Sequence, residues 1–286
     1  MNLSLPTPRI VNTRLGPVAC AVTGEGPAVL SLHGAMGGCD QSAILARLVG
    51  PVPRRYVCVS RPGYPGTPLA GRETPEAQAD LCAALLDALG IADTAVMAIS
   101  GGGPCALSFA LRHGGRCKAL ALYSTCAGVI DTPLPLAYRL MSVAARFPWL
   151  FGWLRGPSAD VQKAARKSVG DPELRRRMQA DPETWALFAA LVAGTGERTA
   201  QRLPGTHNDV AVTRSRDYPL EDIAAPTLVV HGTNDPHVPF ARHGAVLAAR
   251  IPGAQSLAVE GGEHACVFSH RELIRGRTTQ FLAAHS

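Results

Sequence analysis

The stretch Ala98-Ile99-Ser100-Gly101-Gly102 decides how this chain is read. It follows an apolar run, Thr94–Met97, and precedes Pro104-Cys105-Ala106-Leu107-Ser108-Phe109-Ala110-Leu111, which reads as a helix. Small-x-Ser-x-small between a strand and a helix describes a nucleophile elbow, a tight turn that holds its serine in a strained backbone conformation. Small residues at Ala98 and Gly102 let the strand and helix backbones approach more closely than bulky side chains permit. The Ser100 hydroxyl then projects clear of the sheet, and the Gly101 amide, at the helix N-terminus, faces a developing oxyanion. Taken alone, the pentapeptide reads equally well as a Gly-rich strand–helix turn with an incidental serine. The rest of the chain separates the two readings.

Outward from the elbow, β-rich apolar runs alternate with helical patterns. Arg9–Leu15, Val18–Thr23, Ala28–Leu32, Tyr56–Ser60, Thr94–Ile99, Ala119–Tyr123, Thr227–His231 and Ser256–Val259 read as strands, the first two as an antiparallel hairpin around Gly16-Pro17. The later runs are continuously apolar, as strands buried on both faces should be. Thr74 is an N-cap candidate with Pro75 at the first helical position; Leu81, Leu85 and Leu89 then recur on one face until Gly90. Similar patterns cover Pro104–His113, Pro239–Ile251 and His270–His285. This alternation predicts an α/β fold with an eight-stranded, mostly parallel sheet flanked by helices.

The alternation breaks after the sixth strand. Leu136–Phe147, Pro148–Leu154, Ala159–Val169, Asp171–Ala180 and Asp181–Ala193 read as helices only, with Asp171-Pro172 and Asp181-Pro182 as N-cap-plus-Pro starts. The expected division is a core of residues 1–125 and 221–286 with a helical cap, 126–220, over the carboxyl ends of the strands, where open α/β sheets bind ligands. Trp149, Phe151, Trp153 and Trp185 give the cap an apolar character suited to a hydrophobic acyl or aromatic group. The polar run Gly205-Thr206-His207-Asn208-Asp209 reads as a hinge loop or a substrate contact.

A serine hydroxyl needs a base to take its proton and an acid to orient the base. Asp235, in Gly232-Thr233-Asn234-Asp235-Pro236-His237, follows one strand; His264, in Glu260-Gly261-Gly262-Glu263-His264, follows the next. The order Ser100, Asp235, His264 is nucleophile, acid, base. Singly, each has a bland reading: an Asp before Pro is usually a turn former, and a loop His is usually idle. Jointly, their order and strand-end placement favour catalysis. His237 and Glu263 are lesser rivals and Asp131 is a second-choice acid. Ser31-Leu32-His33-Gly34-Ala35-Met36 places the Ala35 amide, with Met36 as an alternative, opposite that of Gly101, and His33 braces the loop.

Composition bounds the partners. The 286 residues are 47% hydrophobic and 17% charged, enough for a large buried core. The net charge of +6 is dispersed, and Arg175-Arg176-Arg177 reads as a solvated helix face, so no nucleic-acid partner is expected. Eight irregularly spaced cysteines, most of them within apolar runs, read as buried thiols of a reducing compartment. The N-terminal sequence lacks a basic start and an apolar h-region, and no apolar stretch has the length of a membrane span. The expectation is a cytoplasmic protein, monomer or homodimer, acting on a small molecule without metal or organic cofactor.

With SLHGAMGG (31–38), SRPGYPGTPL (60–69), AISGGG (98–103), VVHGTNDPHVP (229–239) and GGEH (261–264), the chain resembles the α/β-hydrolase superfamily with a helical cap. The resemblance implies Ser100, Asp235 and His264 as the triad, Ala35 and Gly101 as the oxyanion hole, and a largely structural role for the Arg61-Pro62-Gly63-Tyr64 turn. The chain departs from that pattern at Ser60, where the family often has Asp, at Pro65, where it often has Gly, and at Ala98 in the elbow. The expected activity is hydrolysis, through an acyl-enzyme, of a small hydrophobic carboxylic ester or lactone. Hydrolysis of a carbon–carbon bond in a diketone is the alternative, and a non-catalytic ligand-binding protein on the same scaffold is the rival from another class.

Overall fold

The apolar runs on either side of the elbow assemble into one eight-stranded sheet. In the computed structural model of the protein, which describes residues 4–134, 138 and 160–285, its strands are β1 (Arg9–Thr13), β2 (Gly16–Thr23), β3 (Ala28–Leu32), β4 (Arg55–Val59), β5 (Thr94–Ile99), β6 (Cys117–Tyr123), β7 (Thr227–Gly232) and β8 (Gln255–Val259). Their spatial order is β1-β2-β4-β3-β5-β6-β7-β8. Strand β2 runs antiparallel to both neighbours, and every pairing from β4 to β8 is parallel. The sheet is the eight-stranded, mostly parallel one that the sequence predicts.

Alternate residues of the central strands enter two separate cores, because successive side chains of a strand point to opposite faces. Leu30, Leu32, Val96 and Ala98 join one core with α2 (Pro75–Ala88) and α3 (Gly103–Arg112). Val29, Ala95 and Met97 join the other with α1 (Cys39–Val49). Thr74 caps α2 through the Ala77 amide, as its sequence signal predicts. Helix α1 carries no such signal: it starts from Gly38 without a side-chain cap, and sequence pattern alone does not mark it.

Between β6 and β7 the described α-helices are α4 (Val161–Ser168), α5 (Pro172–Ala180), α6 (Pro182–Glu197) and α7 (Thr199–Thr213). Asp171 and Asp181 cap α5 and α6 ahead of their prolines, as read from sequence. Apart from Tyr138, the expected helices Leu136–Phe147 and Pro148–Leu154, with Trp149, Phe151 and Trp153, lie outside the described residues. Trp185 does not line the cavity; it stacks on Phe188, which meets Phe268 edge-on in the second core. The run Gly205–Asp209 is not a hinge loop but part of α7. After β7, the expected helix 239–251 divides into a 3₁₀ turn, Phe240–Arg242, and α8 (Gly244–Arg250); α9 (Cys266–Ser269) and α10 (Arg271–Ala284) follow β8. Among the described residues, no helix is long and apolar enough to cross a membrane.

Candidate active site

The parallel strands β3, β5, β7 and β8 deliver Ala35, Ser100, Asp235 and His264 to one edge of the sheet, each in the loop beyond a strand's carboxyl end. Ser100 has a φ of 51°, a left-handed conformation that costs a non-glycine residue energy and projects its side chain out of the turn. The turn is held by Thr125, whose hydroxyl donates to the Ser100 carbonyl at 2.6 Å. Gly102 must be small: a Cβ there would lie 2.7 Å from the His33 carbonyl oxygen and 2.9 Å from that of Leu32. Gly102 thus packs on the end of β3, an approach separate from the strand–helix contact expected of it from sequence, and Gly34 is set against Ser100.

Asp235 and His264 meet because their loops are joined through backbone hydrogen bonds. Asn234 N donates to the Gly262 carbonyl at 2.9 Å and Thr233 N to the Val259 carbonyl at 3.0 Å. His264 Nδ1 lies 2.7 Å from Asp235 Oδ2, and His264 Nε2 lies 2.9 Å from Ser100 Oγ. With Nδ1–H donating to the carboxylate, Nε2 is the acceptor facing the serine hydroxyl. Asp235 is buried, which by itself would raise its pKa. Hydrogen bonds from His231 and His264, the charge of His264 and the Val238 amide outweigh that and hold the carboxyl well below the usual range. Its second oxygen accepts the His237 and Val238 amides, both at 2.9 Å. Such a chain can move a proton from serine to imidazole while the carboxylate carries the resulting charge.

Ala35 and Gly101 stand next to each other: the Ala35 nitrogen is 3.1 Å from where a Gly101 Cβ would be. Neither amide donates to another described group. The Met36 amide is engaged, donating to Thr206 Oγ1 at 3.0 Å, and Met36 itself has a φ of 57°. His33 is fully buried; its Nδ1–H donates to the Gly34 carbonyl at 2.7 Å while Nε2 accepts the Arg61 amide at 3.0 Å, so the imidazole braces this loop as expected.

The rivals separate by position. His237 lines the same cavity, its ring 5.4 Å from that of His264, and burial followed by the neighbouring His264 charge lowers its pKa. Glu263 turns away to accept the Gly170 amide at 2.6 Å, and Asp131 pairs with Arg242 on the surface at 2.5 Å. Above Ser100 lies a cavity of about 470 Å³, walled mainly by apolar side chains that include Met36, Ile130, Leu134, Val210 and Val238.

Sequence pattern missed the polar groups that α7 contributes. Asp209 receives Arg61 Nη1 at 2.7 Å, Arg61 Nη2 at 2.5 Å and the Tyr64 hydroxyl at 2.6 Å, all buried. Arg202 donates to Asp40 at 2.6 Å and to the Met36 carbonyl at 3.2 Å. Arg202, Thr206 and Asp209 recur at helical spacing, a signal hidden by Pro204 and Gly205 between them.

A mostly parallel sheet that gathers a serine, a histidine and an aspartate at its carboxyl edge, beneath a helical insertion, is the architecture of an α/β hydrolase. The family described as alpha/beta hydrolase fold matches residues 27–270, and the chain belongs to it. An alpha/beta hydrolase fold protein from Nakamurella multipartita superposes with a TM-score of 0.83 at 31% identity, over 98% of this chain and 100% of that one. A 2-hydroxymuconate semialdehyde hydrolase of Pseudomonas putida is 27% identical over 93% of this chain and 86% of its own. A 2-hydroxy-6-oxo-6-phenylhexa-2,4-dienoate hydrolase of Burkholderia cepacia is 27% identical over 91% and 89%.

Proposed function

We propose that the protein is a serine hydrolase working through an acyl-enzyme on a small, hydrophobic carboxylic ester or lactone. Ser100 attacks the carbonyl carbon while His264 Nε2 takes its proton, and Asp235 holds the imidazole in the required tautomer and balances its positive charge. The Ala35 and Gly101 amides receive the oxyanion; Met36, whose amide already serves Thr206, contributes to the loop rather than to the hole. His264 returns its proton to the leaving group and then activates water to release the acid. Residues 126–220 act as the cap over this pocket, and the eight free, buried thiols fit a reducing, cytoplasmic setting.

The observation that carries this reading is the hydrogen-bonded chain from Ser100 through His264 to Asp235 at the floor of an apolar cavity. Hydrolysis of a carbon–carbon bond beside a ketone is a second reading. It is favoured by the two near-full-length relatives, whose names give an oxo-dienoate and a muconate semialdehyde as what they hydrolyse. The same Ser100 chemistry serves both. The test is a fluorophosphonate probe followed by a panel of esters, lactones and diketones. Stoichiometric labelling of Ser100 with turnover of esters or lactones is expected; turnover of diketones alone selects the second reading. An unlabelled Ser100 with no turnover would leave a ligand-binding protein.

A further inference from the structure

We propose that His237 holds the water that cleaves the acyl-enzyme, accepting one of its hydrogens while His264 takes the other. This rests on the Ser100–His264 chemistry given above and concerns its second half.

His237 lies two residues beyond Asp235 in the loop after β7, and its backbone is fixed at both its polar groups. The amide donates to Asp235 Oδ1 at 2.9 Å, and the carbonyl accepts the Thr132 hydroxyl at 3.1 Å. The side chain is thereby set against the base: the His237 and His264 rings are 5.4 Å apart at an interplanar angle of 87°, and both residues line the cavity above Ser100. Around them, Thr132, Thr206, Asp209, Thr213 and Arg214 each already make a hydrogen bond. Among the described residues, neither ring nitrogen of His237 has a hydrogen-bond partner; its bonds are those of its backbone. Burial, then the charge of His264, keeps its pKa below the ordinary imidazole value, so near neutral pH one ring nitrogen is an acceptor. Residue 237 is also solvent-exposed, which gives water access to it.

Deacylation asks more of the site than acylation. Ser100 is held by its own backbone and has one hydrogen to give up. A water must aim a lone pair at the acyl carbon with one hydrogen on His264 Nε2 and the other directed into a mainly apolar cavity. Leaving that second hydrogen without an acceptor costs free energy. A water bonded to two ring nitrogens holds them roughly 4.5–5.5 Å apart. The ring separation of 5.4 Å allows that span. In the step itself the water oxygen bonds to the acyl carbon and one proton passes to Nε2. The ester bond to Ser100 Oγ then breaks as that proton returns to Oγ, and the second hydrogen leaves with the product acid. His237 gains and loses no proton.

The test follows p-nitrophenyl acetate and butyrate with methanol as a competing nucleophile. Methanol has a single O–H hydrogen, which goes to His264, so it needs no second acceptor. His237→Phe keeps a ring beside His264 and removes the acceptor. Its p-nitrophenolate should appear as a burst stoichiometric with enzyme, the burst rate staying within about threefold of wild-type acylation and steady-state kcat falling by about tenfold or more. The ratio of methyl ester to free acid should rise by about fivefold or more. An asparagine or glutamine amide oxygen stands close to where Nδ1 or Nε2 stood, so His237→Asn or His237→Gln should return that ratio to within about twofold of wild type. An unchanged ratio in His237→Phe, equal slowing of both halves, or no recovery in either amide variant overturns the proposal. If His237→Phe does not fold, His237→Leu gives the same comparison. Fluorophosphonate labelling of Ser100 without turnover of either ester overturns this proposal and leaves the nucleophile standing. Neither labelling nor turnover overturns the hydrolase reading and this one together.

Discussion

Ser100 is held by neighbours that leave it little freedom: a left-handed φ, a Thr125 bond to its carbonyl and Gly102 pressed against β3. Under the proposed assignment, Ser100→Ala removes the attacking oxygen without disturbing that packing, and kcat should fall by about 10⁶ while the unfolding midpoint stays within a few degrees. Loss of fluorophosphonate labelling in the same variant checks the site. Asp235→Asn probes the second link. An asparagine amide facing His264 Nδ1 favours the tautomer with a proton on Nε2, which cannot accept from the serine. A drop in kcat of about 10⁴ is expected, measured on any ester the wild type turns over. These three side chains were legible in the sequence because each lies in a short motif directly after a strand. His231 was not: it sits inside β7, and only the folded chain shows its Nε2 3.4 Å from Asp235 Oδ2 and 2.7 Å from the Val238 carbonyl.

Helix α7 shows where element-level reading stopped. Proline lacks an amide proton and clashes with the preceding turn, so Pro204 followed by Gly205 reads as a break. In the fold those two residues let the helix settle on the Arg61–Tyr64 turn. The Gly205 amide donates to the Gly63 carbonyl at 2.8 Å, and a side chain at 205 would strike the Tyr64 ring. The Arg61–Asp209 pair that results is buried on both sides. Arg61→Met should cost about 3–5 kcal/mol in urea unfolding, because it strands a buried carboxylate. The double variant Arg61→Met/Asp209→Leu should recover much of that loss, since no charge then lacks a partner. Thr206→Val on the same helix frees the Met36 amide. The expected result is a fall of up to about tenfold in kcat with a smaller change in KM, from a loosened Ala35–Met36 loop.

At the scale of the whole molecule, the alternation of strand and helix made the sheet legible, because parallel strands buried on both faces are continuous apolar runs. The tie between the helices that follow β6 and the rest of the fold was not, since charged pairs such as Arg202–Asp40 and Arg271–Glu183 join residues far apart in sequence. Burial across this assembly also sets how it responds to acid. His33, His237, His243 and His270 all have lowered pKa values, with burial the leading cause in each; for His33 the Arg61 charge adds to it. His33 is the most constrained, because protonating Nε2 would break its bond from the Arg61 amide and set two N–H groups against each other. A histidine whose folded pKa lies below its unfolded value of about 6.5 binds more protons when unfolded. Stability therefore rises with pH in that window and is lost as pH falls below about 6.5, with a slope approaching about 1.4 kcal/mol per pH unit from His33 alone. Asp235 acts in the same direction at lower pH, its contribution present above about pH 4 and lost as pH falls through its depressed folded value. Urea unfolding at pH 7.5, 6.5, 5.5 and 4.5 should show stability falling by at least 1 kcal/mol between pH 6.5 and 5.5 and falling further below. His33→Asn should be less stable at pH 7.5 and shallower in its pH dependence; a wild-type profile flat from pH 7.5 to 5.5 would contradict the neutral, buried His33 on which the loop carrying Ala35 depends.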